Sequence, residues 1–116
     1  MNNKYFVPHN IALEMKLLGF NEPCLSYYEK ESFYLALIKR NDCITPSPLY
    51  QQAFRWFREK YELAHNIHPI TYNCYVVNQK DIKIYDIGDF DTYEDSELAC
   101  LIKIIEIVKQ QSNESI

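Results

Sequence analysis

Apolar and polar positions along this chain follow two different periods, and each period predicts one kind of element. Apolar residues that recur every three or four positions predict helices, and strict alternation or a short apolar run predicts strands. Helices are predicted at 11–18, 49–63 and 93–110. Strands are predicted at 24–28, 33–38, 70–77 and 82–87. Helices that alternate with hairpins predict an α+β fold of order α-ββ-α-ββ-α, with one mainly antiparallel four-stranded sheet and the three helices packed mostly on one face.

The ends of the predicted helices carry recognisable signals. Gly19 can take the left-handed conformation that ends the first helix. Ser47 is a favourable N-cap for the second helix. Asp91 or Thr92 can cap the third, because acidic residues follow three positions later.

Length and composition predict one domain and exclude several kinds of enzyme. The chain has 116 residues, of which 47% are apolar, and this suits a single core at 1–116 with a frayed tail at about 111–116. It contains only 2 glycines, against 10 tyrosines and 6 phenylalanines. Two glycines are too few for a glycine-rich phosphate loop or a nucleophile elbow, so the nucleotide-binding folds that need them are excluded.

Charge and hydropathy argue against nucleic acid, membrane and export. The formal net charge is −4, which gives no long-range attraction to nucleic acid. The N-terminus lacks the apolar region of a secretory signal, and the longest apolar stretch, 98–108, is too short to span a bilayer. We therefore expect a cytoplasmic protein.

The four cysteines do not form a metal-binding motif. They lie at 24, 43, 74 and 100, with no CxxC or CxH pair, so a zinc knuckle is not expected. Without an export signal, disulfides are not expected either. We interpret the cysteines as small hydrophobic residues, and we expect no cofactor.

Three segments resemble one known family. Residues 18–24 (LGFNEPC), 48–61 (PLYQQAFRWFREKY) and 96–109 (SELACLIKIIEIVK) resemble a family of short, uncharacterised proteins encoded in Bacteroidetes genomes and their prophages and mobile elements. Order and spacing agree across all three segments. The resemblance implies a phage or mobile-element setting in a bacterial cytoplasm, and it supplies no catalytic residues.

One side of the second predicted helix is a candidate interaction site. Trp56 and Leu63 lie off the apolar stripe of this helix, and Arg55 and Lys60 stand beside them. Aromatic anchors flanked by arginine are typical of interface centres. The alternative is that the first helix and the long loop of the same chain cover Trp56 and Leu63.

The same helix could instead contact nucleic acid. Arg55, Arg58 and Lys60 could bind phosphates while the neighbouring tryptophan stacks on a base. Ion pairs one helical turn apart, Arg55 with Glu59 and Arg58 with Glu62, would weaken that positive field. We therefore consider a solvated, ion-paired face the better interpretation.

The segment Asp86–Glu97 is the strongest local charge feature, with six acidic residues in twelve and no basic one. Asp89, Asp91 and Glu94 could hold a divalent cation, which would make the protein a small metal-dependent enzyme or binder. The alternative is that these acids stabilise the N-terminus of the last helix through its dipole.

Two weaker candidates complete the set. His65 and His68 are three residues apart, but no third zinc ligand lies nearby in the sequence, so we interpret them as loop residues. Cys43, in a polar loop, is the cysteine that we expect to be exposed enough to act as a nucleophile, but any of the histidines could be its base, so the signal is weak. Altogether we expect a protein without catalysis that binds another protein, either a second copy as a homodimer or a host protein.

Overall fold

The structure is a computed structural model that describes residues 4–35 and 44–114. The helices are α1 (His9–Leu17), α2 (Tyr50–Tyr61) and α3 (Tyr93–Glu114). The strands are β1 (Ser26–Glu29), β2 (Ser32–Leu35), β3 (Thr45–Ser47), β4 (Leu63–Ile67), β5 (Cys74–Asn78) and β6 (Lys83–Gly88). The α+β class is confirmed.

The strands form two three-stranded antiparallel sheets, so the expectation of one four-stranded sheet is wrong. The first has the order β2-β1-β3 and the second β4-β5-β6. The difference comes from two strands that periodicity does not reveal. β3 is three residues long with a proline at its centre, and β4 reads Leu-Ala-His-Asn-Ile, in which polar residues stand together.

The chain forms two compact units, Met1–Ala53 and Phe54–Ile116. The first contains α1 and the sheet β2-β1-β3, and the second contains α3 and the sheet β4-β5-β6. The boundary falls within α2. That the 116 residues form a single domain stays a prediction.

In the first unit, buried hydroxyl groups connect β1 and β3 to the N-terminal segment. Ser26 Oγ donates to the Ser47 carbonyl at 2.7 Å, and Ser47 Oγ donates to the Val7 carbonyl at 2.8 Å. Both serines are fully buried, and these bonds offset the cost of removing their hydroxyls from water. Ser47 therefore belongs to β3 and to this network, and the prediction that it caps α2 is wrong.

The C-terminus of α1 is where sequence and structure agree best. Gly19 has φ 101°, its N–H donates to the Lys16 carbonyl, and the Phe20 N–H donates to the Met15 carbonyl. These two bonds form a Schellman motif, which requires a residue at positive φ. The predicted role of Gly19 is confirmed.

In the second unit, α3 packs against one face of the β4-β5-β6 sheet. The central strand β5 alternates between buried and half-buried residues, and Cys74, Val76 and Asn78 are the buried ones. These three residues therefore lie on the inward face of the sheet. The register pairs Val76 with His65 of β4 and with Tyr85 of β6.

Helix α2 ends two residues before the predicted position. Glu62 has φ 58°, a left-handed conformation that ends the helix, and Leu63 begins β4. Helices usually end this way at glycine. Because Glu62 is not a glycine, the sequence gives no signal for this end.

Helix α3 begins as predicted. Thr92 Oγ1 accepts a hydrogen bond from the Asp95 N–H at 3.1 Å, so Thr92 is the N-cap. The helix continues to Glu114. That the tail frays from about residue 111 stays a prediction. Over residues 4–35 and 44–114, no helix combines the length and apolar character needed to cross a bilayer.

Candidate interaction surface

Strand β6 is an edge strand that displays apolar side chains to solvent. It pairs with β5 on one side, and no described strand pairs with its other side. Ile84 is 61% exposed, and Ile82, in the turn just before the strand, is 78% exposed. An open edge offers backbone N–H and C=O groups to another strand. We call Ile82 to Ile87 the β6 edge.

Ile84 ends an apolar row on the outward face of the sheet. It lies opposite Val77 of β5, and Val77 lies opposite Ala64 of β4. Val77 and Ala64 are half-buried, so the row becomes more exposed toward the β6 edge. Cross-strand pairs of this kind stabilise sheets. The row stops at Ile84, which has a cross-strand neighbour, Val77, on one side only among the described strands.

The residue before the strand is both strained and exposed. Ile82 has φ 59°. A β-branched residue rarely adopts a left-handed conformation, because its Cβ crowds the backbone. Ile82 thus carries a backbone cost together with a large exposed apolar side chain. Strain of this kind concentrates at binding sites, which makes the start of β6 a functional candidate.

On the inward face, the β6 edge is basic and aromatic. Lys83 Nζ lies 5.0 Å from the centre of the Tyr85 ring, and Lys103 Nζ of α3 lies 5.7 Å from it. These distances allow cation–π attraction. The edge therefore has an apolar side at Ile84 and a cationic, aromatic side at Tyr85.

The structure does not place the predicted tryptophan site on the surface. Trp56 is only 9% exposed and packs edge-on against Phe57 and Tyr61, with ring centres 4.9 Å and 5.8 Å away. Leu63 is fully buried, and it lies in β4 rather than in the helix. Lys60 Nζ lies 4.9 Å from the Trp56 ring centre. Trp56 and Leu63 therefore do not provide the exposed apolar anchor that the predicted interface needs.

The basic residues of α2 remain exposed, as the predicted solvated face requires. The Arg55–Glu59 ion pair is present at 3.9 Å, with both side chains more than half exposed. The pair expected between Arg58 and Glu62 is replaced: Glu62 lies beyond the helix and pairs with Lys80 at 3.7 Å. Arg55 thus has an acidic partner, which weakens the positive field at this part of the helix and does not favour a phosphate-binding surface there.

The acidic segment is not arranged as a metal site. Asp89 accepts a hydrogen bond from Asn73 Nδ2 at 2.7 Å, and Glu94 lies in the first turn of α3. Among the residues that the structure describes, no three His, Cys, Asp or Glu side chains form a group able to hold a metal ion. The structure does not bring Asp89, Asp91 and Glu94 together, and Glu94 and Asp95 lie where the helix dipole favours acids.

The two histidines have separate roles. His65 lies in β4 and stacks on Phe54, with ring centres 3.5 Å apart. Burial, together with nearby Arg58, lowers its pKa to about 4. His68 Nδ1 accepts hydrogen bonds from the backbone N–H groups of Ile70 and Thr71. One histidine therefore packs against an aromatic ring of α2, and the other accepts hydrogen bonds within a turn.

The cysteines that the structure describes behave as small core residues. Cys24, Cys74 and Cys100 are free thiols and buried. Cys43, the candidate nucleophile, lies outside the described residues.

Comparisons with protein families, with curated proteins and with solved structures find no match to this chain. The choice of the β6 edge as the candidate interaction surface therefore rests on its geometry alone. The alternation Ile82-Lys-Ile-Tyr-Asp-Ile87 predicts the strand, but its place at the edge of a sheet depends on pairing with β5, which local sequence does not encode.

Proposed function

We propose that this protein acts without catalysis, by binding another protein through the β6 edge, and that a second copy of the chain is the partner. The observation that carries the proposal is Ile84, which is 61% exposed on an edge strand at the end of an apolar row. Addition of a strand to such an edge supplies main-chain hydrogen bonds, and side-chain pairs supply specificity.

Symmetry restricts how two β6 strands can pair. In an antiparallel dimer the two-fold axis is perpendicular to the sheet, so each residue lies opposite one that points to the same face. If Ile84 lies on the axis, it faces Ile84 of the second copy. The apolar row then continues without a break from Ala64 and Val77 of one copy to those of the other.

The same register also suits the inward face. Lys83 of each copy lies opposite Tyr85 of the other, which extends the cation–π contact already present within one chain. A register centred on Tyr85 places Ile84 opposite Asp86, and one centred on Asp86 places two carboxylates opposite each other. The register centred on Ile84 also places an isoleucine, Ile82, opposite Asp86, but Ile82 lies in the turn before β6. Charge and hydropathy therefore favour the pairing centred on Ile84.

The expected complex is weak and depends on concentration. β6 has six residues, so a strand pair buries less surface than a standard protein interface. The net charge of −4 adds repulsion between copies. We expect a dissociation constant on the order of 10 μM, and tighter association as salt screens that repulsion.

Sedimentation velocity over a series of concentrations tests the proposal. The wild type should shift from monomer to dimer, and Ile84→Lys should remain a monomer because it places two cations opposite each other. Ile70→Lys is the matched control, since Ile70 is 79% exposed, lies outside β6, and receives the same charge. This control should dimerise like the wild type.

Two results would overturn the proposal. A wild type that stays monomeric at the highest soluble concentration excludes a second copy as the partner. A dimer that Ile84→Lys leaves intact shows that the contact lies elsewhere on the chain.

The resemblance of three segments to proteins of Bacteroidetes prophages supports a setting for this dimer. We place it in a phage or mobile element that acts in a bacterial cytoplasm. A host protein with an extended segment would compete for the same β6 edge.

A further inference from the structure

One face of the first sheet carries a pair of stacked tyrosines. Tyr27 of β1 lies opposite Tyr34 of β2, and their ring centres are 5.2 Å apart with 20° between the ring planes. Ser26 and Tyr28, the neighbours of Tyr27 in β1, are buried. Because side chains alternate along a strand, the two tyrosines and Glu29 lie on the opposite, outward face of the sheet.

The Tyr34 ring ends this stack at an open edge. β2 pairs with β1 on one side, and no described strand pairs with its other side. Tyr34 is 45% exposed, and the ring contact that the structure gives it within residues 4–35 and 44–114 is the one with Tyr27. Neighbouring strands lie about 4.8 Å apart. A strand added beyond β2 would therefore place a side chain on the free side of the Tyr34 ring, at nearly the spacing that the two tyrosines already have.

A carboxylate lies in the next row of the same face. Glu29 pairs with Ser32 of β2, and both residues are exposed. No ion pair joins Glu29 to another residue that the structure describes. Ser32 is small, so a long side chain on an added strand can pass over it to Glu29. Glu31 and Lys30 complete the turn, where the two carboxylates outnumber the one ammonium group, and this row therefore favours a cation.

We propose that the tyrosine face, which consists of Tyr27, Glu29, Ser32 and Tyr34, binds an extended segment of another protein that carries arginine at alternate positions. The segment adds to the open edge of β2, so that alternate side chains lie on the tyrosine face. One guanidinium group stacks on the Tyr34 ring, and the next one passes over Ser32 and pairs with Glu29. Arginine suits both positions because its guanidinium group is planar and binds carboxylates with two hydrogen bonds.

Charge favours a basic segment over nucleic acid. A nucleobase can also stack on Tyr34, but its phosphates would meet the carboxylates of Glu29 and Glu31 on a chain of net charge −4. The same net charge attracts a basic segment. The tyrosine face belongs to the first unit and the β6 edge to the second, so this inference does not depend on the proposed dimer.

Fluorescence anisotropy with a labelled synthetic peptide tests the proposal. The probe is a capped peptide in which arginine alternates with threonine, and two matched peptides carry lysine or citrulline in place of arginine. The arginine peptide should bind the wild type most tightly, because lysine lacks the planar group. The citrulline peptide, which is planar but uncharged, should bind least, and added salt should weaken the binding of the arginine peptide.

Substitutions on the tyrosine face should weaken this binding. Tyr34→Val keeps a residue that suits a strand but removes the ring, and affinity for the arginine peptide should fall about 2–5-fold. Tyr34→Phe keeps the ring and should bind like the wild type. Glu29→Gln removes the ion pair and should lower affinity by a similar factor. Tyr93→Leu is the matched control, because Tyr93 is 43% exposed and has acidic neighbours in α3, and it should leave the affinity unchanged.

An NMR map of the wild type with the arginine peptide locates the site even where a variant does not fold. The proposal requires shifts of backbone amides in β1 and β2. Shifts confined to other residues, β6 included, would overturn it, as would failure of the peptide to bind. Equal affinity of the wild type and a folded Tyr34→Val would also overturn it. Tighter binding of single-stranded oligothymidylate than of the peptide would assign the face to nucleic acid instead.

Discussion

Acidification should destabilise this protein through one residue, His65. Its ring stacks on Phe54 at 3.5 Å, and burial lowers its pKa from 6.5 to about 4, with a further contribution from Arg58. The unfolded chain therefore binds a proton at His65 below pH 6.5, whereas the folded chain resists that proton down to about pH 4. The contribution of His65 to stability is complete above pH 6.5 and is lost as the pH falls toward 4.

The size of the effect follows from the two pKa values. A lowering from 6.5 to about 4 corresponds to a loss of about 3 kcal/mol once the pH is below both values, since one pKa unit is worth about 1.4 kcal/mol. At about pH 5 the expected loss is about 1–2 kcal/mol, reduced for the part of the ring that water still reaches.

Urea unfolding at about pH 7 and about pH 5 measures this loss. His65→Phe keeps a ring against Phe54 but cannot bind a proton. Between the two pH values, the free energy of unfolding of this variant should therefore fall by about 1–2 kcal/mol less than that of the wild type. Glu97, whose pKa is raised by burial and by Glu94, acts in the opposite direction, and comparison of variant with wild type removes its contribution.

An NMR titration of the His65 ring measures the pKa of this residue in the folded protein directly. A His65 pKa near 6.5 in the folded protein would refute the reasoning. Equal pH dependence in His65→Phe and in the wild type would refute it as well.

Substitutions at three further positions test the described local geometry by urea unfolding. Thr92→Ala should cost about 1 kcal/mol because the N-cap bond to the Asp95 N–H is lost, and Thr92→Ser should cost much less. Gly88→Ala should cost about 1–3 kcal/mol through backbone strain alone, because Gly88 has φ 134° while an added Cβ meets open space. Ile82→Asn should stabilise the monomer by about 0.5–1 kcal/mol, because asparagine tolerates a left-handed φ; a loss of stability there would show that Ile82 is not strained.

The features of the fold that local sequence predicted are those that depend on residues close together in the chain. Periodicity located the three helices, Gly19 marked the end of α1, and Thr92 was one of two expected caps for α3. Each of these features depends on hydrogen bonds or side-chain spacing within one or two helical turns, so the signal lies in a short segment.

Features that depend on distant pairing were missed. β3 contains Pro46 and is held by pairing with β1, and β4 follows a left-handed Glu62 that carries no glycine signal. The burial of Trp56 was missed for a related reason. The helical wheel showed that Trp56 lies off the apolar stripe, but it could not show that Phe57 and Tyr61 pack against its ring.

The pairing of two β6 strands at Ile84 is the central claim, and a cysteine at that position tests it most directly. In a Cys43→Ser background, Ile84→Cys lies on the two-fold axis opposite itself, so mild oxidation should produce a covalent dimer. Ile70 lies outside the strand and is more exposed than Ile84, and Ile70→Cys should give little covalent dimer. A yield from Ile84→Cys no higher than that from Ile70→Cys would contradict the account.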